Sequence, residues 1–294
     1  MVSERITRFA DVSGPGTNTI VQGDRDFTPG WDWTMSPNSL GLSGNSPHSS
    51  AGGPIFGIDT QTGATLSFRP EDIYSVGLHD ADGRPLGVLF PETDHDVANI
   101  PRWASMRNRD SDLYYRDAYQ ISPATQNSHA RWQYSERRDA AWQREVQRTG
   151  RPPLYIISHS YPESHLVQVD INGERRRVFV DGSGYGPAVA GNEHTLEAVE
   201  DNPESPVVLV SCSPAQTGSA TAQFSAEYLI NEGEMDRDIH TAKSILILPR
   251  DEDIGWSWLG SEALFDRSGR QLQTFESYWG SPYSAGRSDL PKQY

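Results

Sequence analysis

The chain has 294 residues, a net charge of −15 and a hydrophobic share of 35%, enough for one generous α/β domain or two small ones. That charge excludes nucleic acid as an expected partner, because neutralising phosphates takes clustered Lys and Arg, and no apolar run approaches the ~20 residues needed to span a bilayer. A single Cys rules out an internal disulfide framework and fits a reducing compartment.

Residues 1–60 are dominated by Gly, Ser, Pro, Asn and Thr, a composition that cannot offset chain entropy by burial. They read as an irregular arm, pinned by Phe27, Trp31 and Trp33, ahead of a single domain over residues 61–294. The start, Met1-Val-Ser-Glu-Arg5, lacks the apolar core of a signal peptide. The expected location is therefore the cytoplasm or the far side of a signal-independent export route, and excision from a longer polypeptide stays open.

Three hairpins follow from turn chemistry. Residues 73–78 and 86–90 flank Asp82-Gly83, residues 166–171 and 178–180 flank Asn172-Gly173, and residues 263–272 turn at Ser268-Gly269. Residues 86–90 alternatively open a parallel sheet. The loop after them, Pro91-Glu-Thr-Asp-His-Asp96, is rich in ligand atoms, but a solvated turn is the commoner use of such residues and no metal site is assigned. Residues 103–135 show no clean period. A helix is expected over 136–148, with Trp142 and Val146 on one face, and a flexible loop over 181–186. A short helix is expected over 195–200, and a last buried strand over 244–249. The loop after that strand carries Arg250, Asp251, Trp256 and Trp258, which we take as candidates for a substrate pocket.

Two apolar runs stand out. Leu154-Tyr-Ile-Ile157 leads into Ser158-His159, and Pro206-Val-Val-Leu-Val-Ser-Cys-Ser213 holds the only cysteine. Runs of this kind read as strands buried on both faces of a parallel sheet. The carboxyl ends of such strands are where open α/β sheets gather their chemistry. A thiol attacks an acyl carbon only as thiolate, and a neighbouring imidazole can take its proton. His159 is thus the expected base and Cys212 the expected nucleophile, with the thiol ionising below the pH ~8.5 of a free cysteine. The backbone N–H groups of Ser160 and Cys212 are candidate oxyanion donors. Each residue alone has an ordinary alternative: a lone Cys on an apolar strand is usually a small hydrophobe, and a strand-end His can simply face water.

These two strings, 53 residues apart from His159 to Cys212, resemble the histidine and cysteine motifs of caspase-like (clan CD) cysteine peptidases. The likeness is greatest to the "lonely Cys" domains of long bacterial toxin-like proteins, and Asp236-Arg-Asp-Ile-His240 is similar to a later His-containing stretch of that group. The resemblance covers residues 65–280 and is specific around the two strands.

It implies an α/β fold, a caspase–hemoglobinase-like αβα sandwich with a mostly parallel central sheet, here with added hairpins and the N-terminal arm. It also implies a cysteine endopeptidase, a toxin effector or self-processing module, acting on a protein or peptide without a cofactor, with room for a regulatory or immunity protein as partner. Two positions depart from the pattern: Ser160 stands where Gly usually follows the histidine, and Val210 stands where clostripain-like relatives carry an arginine-selecting Asp. Val210 and Ser211 join the pocket candidates on that comparison. Two other readings compete: an inactive caspase-like binding module, and deamidation or transpeptidation on the same dyad.

Overall fold

The computed structural model describes residues 11–13, 18–19, 53–122, 131–161, 163–212, 215, 220–251 and 255–280. Phe27, Trp31 and Trp33 lie outside the described residues, but two short pieces of the N-terminal segment, β1 (Asp11–Ser13) and β2 (Asn18–Thr19), do pair with a sheet.

The chain then forms β3 (Ile55–Asp59), β4 (Thr65–Phe68), β5 (Val76–His79), β6 (Pro85–Phe90), α1 (Asp94–Ser105) and α2 (Arg109–Leu113). Next come β7 (Tyr114–Ser122), β8 (Arg131–Asp139), α3 (Gln143–Thr149), β9 (Leu154–Tyr161), β10 (Ser164–Ile171) and β11 (Glu174–Val180). The last third holds α4 (Gly182–Ala190), α5 (Glu193–Asp201), β12 (Val207–Val210), α6 (Thr221–Asn231) and β13 (Ile239–Ala242). It closes with β14 (Leu246–Asp251), β15 (Trp256–Ser257), β16 (Leu259–Glu262) and β17 (Phe275–Tyr278).

The fold is mixed α/β, with two sheets among the described residues. In the larger, β6, β9, β12 and β13 run parallel as neighbours, edged by antiparallel β5 and β17. β9 changes partner along its length. Residues 154–157 lie between β6 and β12, and from His159 onward the strand pairs antiparallel with β10, which leads through β11 to β3 and β4. The second sheet runs β1-β14-β16-β7-β8-β2, with β15 beside β14.

Strand alternation divides the core in two. Leu154, Ile156, Val207 and Leu209 face α4, α5 and α6 through Tyr185, Val189, Ala198 and Leu229. Tyr155, Ile157, Val208, Val210 and Cys212 face α1 (Ile100, Trp103), α3 (Val146) and the second sheet (Leu246, Leu259). A central parallel strand covered on both sides must be apolar at every position, which is why Val207–Val210 is entirely buried.

The Asp82-Gly83 and Asn172-Gly173 hairpins form as expected, and residues 86–90 serve both expected roles, pairing with β5 and with β9. At residues 263–272 only an isolated Phe265–Gln271 bridge forms around the turn.

Two expectations change, and two stretches gain a place the sequence did not give them. The stretch 136–148 is not one helix: β8 runs through Asp139 and the helix begins at Gln143, because residues 131–139 pair along β7, leaving Trp142 and Val146 in the shared core. Residues 181–186 are not a flexible loop but the start of α4. Asp181 accepts from Gly184 N, and small residues let α4 lie against α6, where a Cβ at Gly182 would stand 2.2 Å from Thr221 O. The strand after residue 244 belongs to the second sheet, and Ile239–Ala242 takes the place beside β12. Residues 103–135, without a readable period, supply α2 and the β7–β8 pair.

Gly87 is held at φ +131, and a Cβ there would meet Tyr155 O at 2.1 Å. Gly87→Ala should lower stability by roughly 3 kcal/mol in urea denaturation, since rigid sheet backbone cannot yield. Gly83→Ala, at φ +79 with open space around it, should cost only about 1 kcal/mol.

Candidate active site

β9 and β12 pair in strict register, Leu154 with Val207 through Ile157 with Val210. Two residues further along each chain stand His159 and Cys212, on the same side of the sheet as Ile157 and Val210 by alternation. The adjacency persists beyond the ladder: Ser158 Oγ and Ser211 Oγ are 3.0 Å apart, and Ser160 Oγ donates to Cys212 O at 2.7 Å. His159 is not at a strand end, as expected from the sequence, but within β9, where the strand leaves β12 for β10.

Cys212 is fully buried, and its Sγ faces Leu246 O at 3.9 Å. Burial pushes its thiol up to about 12, against which the Leu246 contact does little, and the charge of Glu262 adds to the rise. The low-pKa thiolate expected from the sequence is thus absent from this arrangement: the resting group is a protonated thiol.

His159 sits between two carboxylates. Its Nε2 is 3.2 Å from Asp96 Oδ2, and its Nδ1 is 3.6 Å from Glu92 Oε2. Asp96 is N3 of α1, in a capping box with Thr93. Burial alone would raise the Asp96 carboxyl. The charge of His159, its hydrogen bond and the N–H groups of Thr93 and Glu92 outweigh that and hold it at about 2. The Pro91–Asp96 loop, read from the sequence as a solvated turn, is therefore tied to His159. The missed signal is the Thr93-x-x-Asp96 cap spacing, which fixes an acid at a helix start but says nothing of what it faces.

His165 lies on the opposite face, in β10 and fully buried. It stacks on Tyr185 with ring centroids 3.6 Å apart, and its Nδ1 meets Ser158 Oγ at 3.1 Å. Burial lowers it to about 3, so it is neutral at ordinary pH. Tyr185 also donates to Ser158 Oγ at 2.8 Å, completing a hydroxyl cluster with Ser211 beneath the two strands.

The pocket candidates separate. Val210 packs in the core and Ser211 turns into the hydroxyl cluster, both fully buried, so neither lines an open crevice. The physical reason is the position of β12, covered on both faces. Arg250 is buried and donates to Asn99 of α1, at 3.3 Å to its O and 3.0 Å to Oδ1. Trp256, in β15, lies under the Arg137 guanidinium at 4.6 Å, and Trp258, between β15 and β16, lies near that of Arg116 at 5.3 Å. Asp251 is described only as the last residue of β14.

Among the described residues no group of three or more His, Cys, Asp or Glu is arranged to hold a metal ion, and no helix is long and apolar enough to cross a membrane. Comparison with known protein families, characterised proteins and solved structures finds no match.

Two outcomes follow for solution measurements. Iodoacetamide at pH 7 should alkylate the native protein far more slowly than a free thiol, with full labelling on denaturation; rapid native labelling would show a different resting thiol. For Asp96, the folded carboxyl lies below its ordinary value, so its contribution is present above pH ~4 and is lost as pH falls toward 2. Asp96→Asn should therefore lose about 2 kcal/mol at pH 7, from the drop of the Asp96 carboxyl from 3.8 to about 2, and the gap to wild type should close by pH ~2.

Proposed function

We propose that the chain is a cysteine peptidase of the caspase-like kind, with Cys212 as nucleophile and His159 as base and acid. The observation that carries this reading is the β9–β12 register, which brings the only cysteine level with a histidine on the same face at the carboxyl side of neighbouring parallel strands. Four parallel strands with helices on both faces accord with a caspase–hemoglobinase-type sandwich.

In the reaction, Cys212 gives its proton to His159 and its sulfur adds to the peptide carbonyl carbon. Backbone N–H groups at Cys212 and Ser160 are the candidate donors to the resulting oxyanion. Collapse breaks the C–N bond as His159 returns the proton to the leaving amine. Water then attacks the thioester, giving a proton to His159, and release of the carboxylic acid restores the thiol. Because the thiol rests buried and protonated, turnover requires Cys212 to leave the Leu246 carbonyl. The resting form is latent. Such latency suits a toxin effector or a self-processing module whose partner, substrate or processing event opens the site.

Burial of Cys212 favours a second reading, a caspase-like binding module in which the cysteine only packs. The two are separated by incubating the full chain with a denatured-protein peptide library and mapping new termini by mass spectrometry. Cleavage that falls at least about 10³-fold in both Cys212→Ala and His159→Ala is expected. No cleavage, with a thiol that stays unreactive in the presence of the library, would sink the peptidase and leave the binding module. Transfer of the acyl group to an amine, or conversion of Gln to Glu, would appear in the same spectra and redirect the chemistry on the same pair.

A further inference from the structure

We infer that Asp96 is the positioning carboxylate of His159, so that the site is a cysteine–histidine–aspartate array; this rests on the peptidase reading above. The inference stands on how Asp96 is held. Its Oδ2 accepts from Glu92 N at 2.9 Å and Thr93 N at 2.8 Å, and the same oxygen meets His159 Nε2 at 3.2 Å. Two backbone donors fix the carboxylate in place, and the α1 N-terminus favours its negative charge. An ionised carboxylate only accepts, and Asp96, at hydrogen-bond distance from Nε2 while Glu92 stands 3.6 Å from Nδ1, favours the proton of a neutral His159 on Nε2. That choice leaves Nδ1, on the Glu92 side of the ring, as the nitrogen to take the Cys212 proton once the sulfur leaves Leu246 O, with Asp96 in the role of the orienting acid of other nucleophile–histidine sites.

The helix that carries Asp96 is itself braced. Just beyond its carboxyl end, Arg107 Nη2 donates to Tyr155 OH of β9 at 2.6 Å and pairs with Asp112 Oδ1 at 3.0 Å. Along its length, Trp103 Nε1 donates to Trp258 O at 2.9 Å, Ser257 Oγ donates to Trp103 O at 2.9 Å, and Arg250 grips Asn99. Two of the residues first taken for a substrate pocket, Arg250 through its guanidinium and Trp258 through its carbonyl, thus hold α1 in place. Glu92 faces the other side of the ring, with Arg177 3.6 Å from its second oxygen. Glu92 is not bonded to Nε2, which makes it a control.

A helix cap alone would also explain Asp96, so the test must read the imidazole. The full chain is labelled with 15N-histidine, His159 is assigned by its loss in His159→Gln, and long-range 1H–15N spectra are followed over pH. Neutral His159 protonated at Nε2 is expected in wild type and in Glu92→Gln. In Asp96→Asn the Nε2–H preference should be lost and the His159 pKa should fall. With a cleavable peptide, Asp96→Asn should lower kcat by about 10²- to 10⁴-fold while KM changes little.

A wild-type His159 protonated at Nδ1 overturns the inference, and so does an Asp96→Asn protein whose His159 titrates as in wild type. Should Asp96→Asn not fold, the wild-type tautomer alone decides. An Nε2–H tautomer in a protein that cleaves nothing would uphold the Asp96–His159 pairing and remove the peptidase reading instead.

Discussion

Everything at the candidate site depends on the parallel pairing of β9 with β12. Parallel ladders space residues evenly, so a register set by Leu154–Val207 carries through to residues beyond the last ladder pair. One step of slip would exchange the two faces of a strand, sending Cys212 toward Tyr185 while His159 stayed toward α1. Three features oppose such a slip. Apolar side chains fill both faces, the Ser158–Ser211 hydroxyls meet across the strands, and Ser160 grips the Cys212 carbonyl.

The same pairing creates an electrostatic tension. A strand buried on both faces disfavours charge, and Cys212 accordingly rests protonated. His159 stands at the margin of that apolar layer, where α1 begins, and there charge is supported. The charge of His159 and the N–H groups of Thr93 and Glu92, just ahead of α1, hold Asp96 ionised, and the Glu92 carboxylate lies on the far side of the ring. The two proposed partners thus sit in environments of opposite preference, an anionic clasp for the imidazole and a dry one for the sulfur. Forming a thiolate–imidazolium pair would require the sulfur to cross into the polar side. Ser160 adds to this restraint, since its hydroxyl ties down the Cys212 carbonyl.

Much of the central sheet was legible in the chain because its signals are local. Unbroken apolar runs mark β9 and β12, and Asp82-Gly83 and Asn172-Gly173 mark hairpins by backbone preference alone. Ile239–Ala242 was not legible, because Ile-His-Thr-Ala shows no apolar run: His240 is buried by bonding to Ser277 and by contact with Trp142 and Trp279. Nor was α4, whose three glycines oppose helix by propensity and are outweighed by close packing on α6. The β7–β8 pair escaped for the converse reason, since its exposed face is charged and aromatic with bulges that break the alternation.

For the candidate site the division is similar. Composition and local pattern alone determined that the chain holds one cysteine, that it follows a doubly buried strand, and that a histidine follows a second apolar run. The Thr93-x-x-Asp96 spacing was equally local but went unread, because residues 91–96 read as a solvated turn. Only the tertiary structure decided that β9 and β12 are neighbours, that His165 is sealed on the opposite face, and that Asp96 meets His159 across 63 residues. It alone decided that Cys212 is dry and that Arg250 and Trp258 brace α1. Contacts between elements distant in sequence leave no periodic trace in the chain, and the burial that sets a pKa is a property of the assembled layers.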